Sequence, residues 1–119
     1  MSLFSRLFGT AEAGTNTTPI VVDVQEASRR QLAGALLIDV RQPDEFRQGH
    51  AADAKLIPLG ELASRLKDIP RDRDVLLICR SANRSGSAQR QLLQLGYDRV
   101  WNVTGGMNAW TSAGLPVTR

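Results

Sequence analysis

The sequence predicts an α/β fold of three layers, a mostly parallel five-stranded sheet with helices on both faces. Three observations carry this prediction. Short runs rich in branched apolar side chains, of which Val75-Leu76-Leu77-Ile78 is the clearest, alternate with segments of helical period. Strands separated by helices need crossover connections, and crossovers make neighbouring strands parallel. A length of 119 residues, 42% hydrophobic and 23% charged, suits one small domain with a true core.

The elements follow in order. Residues 1–18 are expected to form a flexible tail and residues 19–119 the domain. Leu3, Phe4, Leu7 and Phe8 share one helical face, a stripe that a membrane surface or a partner could meet, but the stretch is too short and interrupted for a signal peptide's apolar core. No run approaches the roughly 18 apolar residues of a membrane span. Ile20-Val21-Val22 reads as a strand, and Asp23 can cap a helix carrying Val24, Ala27 and Leu32. Ala35 to Val40 is a buried strand, and Pro43 opens a short helix through Phe46. Leu56-Ile57 is a third strand. Leu59, Leu62, Ala63 and Leu66 form the stripe of the next helix, which Pro70 stops. Arg71-Asp72-Arg73-Asp74 is a solvated turn before the strand Val75 to Ile78. Ala88, Leu92 and Leu95 then mark a helix that Gly96 can end in a left-handed cap. Val100 to Val103 is the last strand and Gly106 to Ser112 the last helix.

The chemistry concentrates where the strand Val75 to Ile78 runs out. The chain's one cysteine, Cys79, stands there, followed by Arg80-Ser81-Ala82-Asn83-Arg84-Ser85 and a helix start. A short loop opening onto a helix turns backbone N–H groups toward one point, a nest for an anion. A helix terminus is worth up to ~2 kcal/mol to a partly buried charge, and the guanidinium groups of Arg80 and Arg84 add to it. A nucleophilic thiolate is the expected result, weighed against a buried structural cysteine, the commoner fate of a lone thiol in a core strand. In parallel sheets the site lies at the carboxyl ends of the strands, which brings Asp39-Val40-Arg41, Cys79-Arg80 and Thr104-Gly105-Gly106 to one rim. His50 is a formal candidate for a base to Cys79, but a thiolate stabilised by amides and arginines needs none. Trp101 and Trp110 read as packing residues, and Gly105-Gly106 as either a plain turn or a close backbone approach.

Composition narrows the alternatives. One cysteine excludes an internal disulfide, and one cysteine with one histidine falls short of a structural zinc site. The free thiol points to a reducing compartment, so a cytoplasmic location is expected. The net charge is +3, yet the arginines are scattered and aromatic residues make up only 5% of the chain, so nucleic acid is not an expected partner. Small anions are.

Cys79-Arg80-Ser81-Ala82-Asn83-Arg84-Ser85-Gly86 resembles the active-site loop of the single-domain rhodaneses, sulfurtransferases that carry a persulfide on the loop cysteine. Leu37-Ile38-Asp39-Val40-Arg41, Pro43-Asp44-Glu45-Phe46 and Gly49-His50 resemble that family's first signature. Ile57-Pro58-Leu59 resembles its next landmark, and Gly96-Tyr97, Val103, Gly105-Gly106 and Trp110 its closing segment. The likeness spans about residues 20 to 117. Ala51 and Asp53 depart from it, standing where the family usually has an aliphatic residue and a glycine.

The resemblance implies a thiosulfate sulfurtransferase. Sulfane sulfur would pass from thiosulfate or a similar anionic donor to cyanide, a thiol or a protein acceptor, through a persulfide on Cys79, with no metal and no organic cofactor. Residues 80 to 85 would hold the persulfide in their N–H groups, with Arg80 and Arg84 receiving the donor's sulfonate. Asp39 and Arg41, with Gly105, would form the surrounding layer, and in the rhodaneses the matching acid–base pair mainly ties the rim together. Phosphatases and arsenate reductases share this fold, but the phosphatases space cysteine and arginine as C-x5-R, whereas this chain has C-x4-R, Ser85 at the phosphatase arginine position and Ile78 before the cysteine. A sulfur carrier or interaction module without turnover is the remaining alternative.

Overall fold

The computed structural model describes residues 20–119. The expected tail and the stripe of Leu3, Phe4, Leu7 and Phe8 lie outside the described residues. The elements are β1 (Val21–Val22), α1 (Val24–Leu32), β2 (Leu36–Asp39), α2 (Pro43–Gln48), β3 (His50–Ala51), β4 (Lys55–Leu56), two 3-10 turns (Leu59–Ser64 and Leu66–Asp68), β5 (Val75–Ile78), α3 (Asn83–Gln94), β6 (Val100–Val103), α4 (Gly106–Ser112) and β7 (Val117–Thr118).

Five strands form one sheet in the order β1-β6-β5-β2-β4, with every neighbouring pair parallel. β5 lies at the centre and all four of its residues are buried, as its unbroken apolar run requires. Its side chains alternate between two cores. Val75, Leu77 and Cys79 join Ile38, Val40, Leu62, Ala88 and Leu92 on the face covered by α3 and the 3-10 turns. Leu76 and Ile78 join Val24, Ala27, Met107 and Trp110 on the face covered by α1 and α4. Two cores on opposite faces of one sheet make the expected three layers. No helix among the described residues is long and apolar enough to cross a membrane.

Local signals explain several boundaries. Asp23 Oδ1 accepts the Glu26 N–H at 2.8 Å and starts α1. Gly96, at φ 93°, ends α3 in a Schellman motif, in which its own N–H reaches Leu93 O at 3.1 Å and the Tyr97 N–H reaches Leu92 O at 3.0 Å. Gln89, fully buried in α3, donates to Ile20 O at 2.7 Å and Val100 O at 3.1 Å, tying α3 to the residue before β1 and to the start of β6.

Three expectations need correction, and one strand pairing is unexpected. The helix expected from Leu59 to Pro70 is a pair of 3-10 turns, broken where Arg65 takes φ −123°. The three-residue period stacks Leu59 over Leu62, and of the four stripe residues only Leu62 is fully buried. Leu32 and Leu95, at the C-terminal ends of their helices, face solvent at 88% and 45% exposure and do not join the core. The third strand covers Lys55–Leu56 rather than Leu56-Ile57. A second, two-stranded antiparallel sheet pairs β3 with β7, matching His50 to Thr118 and Ala51 to Val117.

The departure at Asp53 has a physical cost. Asp53 is the one non-glycine residue with positive φ among the described residues, at 65°, in the exposed turn between β3 and β4. Asp tolerates this region because its short side chain can bond locally, whereas β-branched residues do not. Asp53→Gly is expected to change stability by less than about 1 kcal/mol, and Asp53→Val to cost about 1–2 kcal/mol, in urea denaturation. Equal stabilities for the two variants would contradict the left-handed turn.

Candidate active site

The parallel register sets β2, β5 and β6 side by side, so their carboxyl ends share one edge: Asp39 lies opposite Ile78, and Leu77 opposite Asn102. Cys79 follows β5 directly. Its sulfur sits at the inner end of the loop with the residue only 1% exposed, against the core that α3 covers. Among the described residues polar contact comes from one: the Ser85 N–H points at Sγ from 3.4 Å and Ser85 Oγ lies 3.3 Å from it. Ser85 is in the first turn of α3, so this amide is one of the N–H groups the helix leaves without an internal partner. Of the amides of residues 80 to 85 expected to surround the sulfur, Ser85's is the one in hydrogen-bond contact with Sγ itself.

Ser85 is held in turn by a residue that sequence reasoning did not single out. Its hydroxyl donates to Asn102 Oδ1 at 2.6 Å, and Asn102 Nδ2 donates to Ala82 O at 3.2 Å. Asn102 is a polar residue on the central part of β6, 8% exposed, directed at the loop between Cys79 and α3. The only signal for it in the sequence was an amide in the middle of an otherwise apolar strand.

The loop is also gripped from the α4 side. The N–H groups of Met107 and Asn108, in the first turn of α4, donate to Cys79 O at 2.8 Å and Arg80 O at 3.1 Å. Gly105 and Gly106 both have positive φ, 76° and 54°. A Cβ on Gly106 would stand 2.5 Å from Cys79 O and 2.6 Å from Arg80 C and O, which decides for the close-approach reading of these glycines. Gly105 is packed against α4 itself, where a Cβ would meet Ala109 Cβ at 2.5 Å.

Asp39 and Arg41 form a buried pair, 0% and 4% exposed, at the end of β2. Arg41 Nη2 reaches Asp39 Oδ2 at 2.8 Å, Arg41 Nε reaches both carboxylate oxygens at 3.0 Å, and the Arg41 N–H adds a bond to Oδ1 at 3.0 Å. Nη2 also donates to Gly49 O at 2.7 Å, so the pair ties the end of β2 to the turn after α2. Its hydrogen bonds brace the rim and none goes to Cys79. His50 stacks on Phe46 with centroids 3.6 Å apart, and its Nδ1 bonds Phe46 O at 2.8 Å. Trp110 is buried, with Nε1 donating to Pro116 O at 2.8 Å. Trp101 packs beside the same core under the Arg30 guanidinium, 4.8 Å from the ring centroid.

The two loop arginines share one carboxylate, although the Arg80 side chain remains 59% exposed. Arg84 binds Glu45 through both Nη atoms, at 2.7 and 3.0 Å, and Arg80 Nη2 binds the same carboxylate at 2.9 Å. The Arg84 bond holds the Glu45 carboxyl down at about 2 against the opposing effect of burial, with the Gln42 N–H and Arg80 contributing further. Arg84 is raised, first by Glu45. Because Glu45 titrates near 4.5 when unpaired and at about 2 in the fold, its ion pairs stabilise fully above pH 4.5 and lose that contribution as pH falls toward 2. Glu45→Gln is therefore expected to flatten the stability profile between pH 4.5 and 2, read by urea denaturation across that range. An unaltered acid limb would mean that the pairing adds nothing.

Beside Arg80 and Glu45 opens a cavity of about 580 Å³, whose walls also include Arg41, Met107, Asn108 and Arg119. A buried sulfur within reach of one amide and an anchored loop thus stand beside a cavity with charged walls.

Residues 13–113 match the model of the rhodanese-like domain family. A protein of Allochromatium vinosum named sulfurtransferase is 42% identical over 98 residues, covering 81% of this chain and 92% of that one. A crystal structure of a rhodanese-related protein from Thermoplasma volcanium superposes with a TM-score of 0.76 at 31% identity, covering 83% of this chain and 97% of that one. A structure from Rhodopseudomonas palustris described as a possible tyrosine phosphatase gives a TM-score of 0.77 over 88% of this chain and 89% of that one, and at 20% identity it speaks for the fold alone.

Proposed function

The chain belongs to the rhodanese-like domain family, and on that premise we propose that it is a sulfurtransferase working through a persulfide on Cys79. The supporting observation is the sulfur at the end of β5 with the free first-turn amide of Ser85 directed at it from 3.4 Å.

In the first step the Cys79 thiolate attacks the outer sulfur of thiosulfate or a similar donor. A new S–S bond forms, the donor's S–S bond breaks, and sulfite leaves with the electron pair. The outer sulfur then stands about 2 Å beyond Sγ, one S–S bond length farther along the loop. There the amides of residues 80 to 84 would take up its negative charge, as preorganised donors do in an oxyanion hole. In the second step cyanide, a thiol or an acceptor protein attacks the outer sulfur, which departs as thiocyanate or a new persulfide and returns Cys79 to the thiolate. Every charge balances without a metal or an organic cofactor. A reducing, cytoplasmic setting fits a site that must keep its one thiol free.

A phosphatase would need a loop that surrounds a tetrahedral oxyanion with an arginine at position 85. This loop has Ser85 there, with its hydroxyl turned inward to Asn102. The test is single-turnover mass spectrometry after incubation with thiosulfate. A gain of one sulfur atom on Cys79, removed by cyanide, is expected. A chain that gains none, or that hydrolyses an aryl phosphate as fast as it transfers sulfur, would overturn the proposal.

A further inference from the structure

The Glu45 carboxylate is paired with both guanidinium groups that an anionic donor would use. Both Nη atoms of Arg84 and one of Arg80 are already bonded to it. The carboxylate is not a loose arm that steps aside. It sits in the first turn of α2, accepts the Gln42 N–H at 3.1 Å, and its side chain is only 17% exposed. The two guanidinium groups and the carboxylate together carry a single net positive charge, and Glu45 lines the cavity next to Arg80, with Arg119 and the Asp39-paired Arg41 in the same walls.

From this geometry we infer that Glu45 sets the donor preference of the site, favouring thiol persulfides over dianionic thiosulfate. The inference rests on the sulfur-transfer reading above and deepens it. In thiosulfate the charged sulfonate is the part that leaves, so it must lie outside the loop, on the side where Glu45 and Arg80 line the cavity. Like charges at such range repel, more strongly where the surroundings are partly desolvated. An alkyl persulfide brings its charge on the sulfur that enters the amides, and its leaving part is otherwise neutral. Attack by the Cys79 thiolate on its outer sulfur breaks the donor S–S bond, and the alkyl thiolate leaves with the electron pair. Glu45 thus filters donors by the charge of the leaving group, while Arg80 and Arg84 stay in place as its counterions.

The experiment compares two donors, thiosulfate and the persulfide of 2-mercaptoethanol, by the rate at which Cys79 gains one sulfur in a single turnover. The Glu45→Gln variant keeps the shape and loses the charge, and it is expected to shift the ratio of the two rate constants about tenfold toward thiosulfate. Glu45→Ala, which also loses the acceptor, should shift it in the same direction and guards against one variant failing to fold. A ratio within twofold of wild type in a folded variant overturns the inference alone. If the wild-type chain gains sulfur from neither donor, the inference falls together with the sulfur-transfer reading.

Discussion

Cys79→Ser is expected to reduce cyanide-dependent thiocyanate formation to the uncatalysed rate while leaving a folded protein. The loss follows from the chemistry of the first step. An alcohol is scarcely ionised at neutral pH and no general base is placed against it: Ser85 Oγ is spoken for by Asn102 Oδ1 at 2.6 Å, and His50 is committed to Phe46. The exchange removes no large group. The smaller oxygen keeps the Ser85 N–H as a partner, and its cost, a polar atom among Val40, Leu77 and Ala88, is about 1–2 kcal/mol. Thermal melting alongside the thiocyanate assay separates the two effects. A variant that melts close to wild type and still turns over at the wild-type rate would remove Cys79 from the mechanism.

What the sequence made legible was local. Cys79, the strand before it and the helix after it could be read because an apolar run, a small polar loop and a helical stripe are contiguous, and each constrains the next. Asp23 and Gly96 announced helix ends because capping depends on residues within a single turn. Glu45 illustrates the opposite case. It stands 35 and 39 residues from the arginines it binds, and although it falls in the first signature of the resemblance, nothing near it points to those partners. Only the parallel register that lays β2 beside β5 brings α2 against the loop. Asn102 escaped for the same reason, since its partners Ser85 and Ala82 belong to another element. The 3-10 turns at Leu59–Ser64 and Leu66–Asp68 misled differently: a stripe at i and i+3 suits either helix, and Gly60 and the flanking Pro58 weaken the α form that the stripe suggested. The two-residue strands β3 and β7 carry no periodicity at all, and they exist because each supplies the other's hydrogen bonds across most of the domain's length.

Gly106→Ala is the substitution expected to damage both stability and activity most severely without touching a reacting atom. The methyl would stand 2.5 Å from Cys79 O and 2.6 Å from Arg80 C and O, and all three are backbone atoms that cannot swing away. Either α4 retreats, releasing the Met107 and Asn108 bonds to Cys79 O and Arg80 O, or the loop moves and carries Sγ out of register with Ser85. The left-handed φ of 54° costs about 1–2 kcal/mol for any L side chain, and the overlap adds about 1–3 kcal/mol, so a loss of roughly 2–5 kcal/mol is expected. Gly114→Ala separates the two contributions. Gly114 has a comparable φ of 73° with nothing within 4 Å of its Cβ position, so its variant should show the conformational cost alone and keep full sulfur transfer. If both variants lose the same stability and Gly106→Ala still loads sulfur on Cys79 at the wild-type rate, the contact between α4 and the loop has no part in shaping the site.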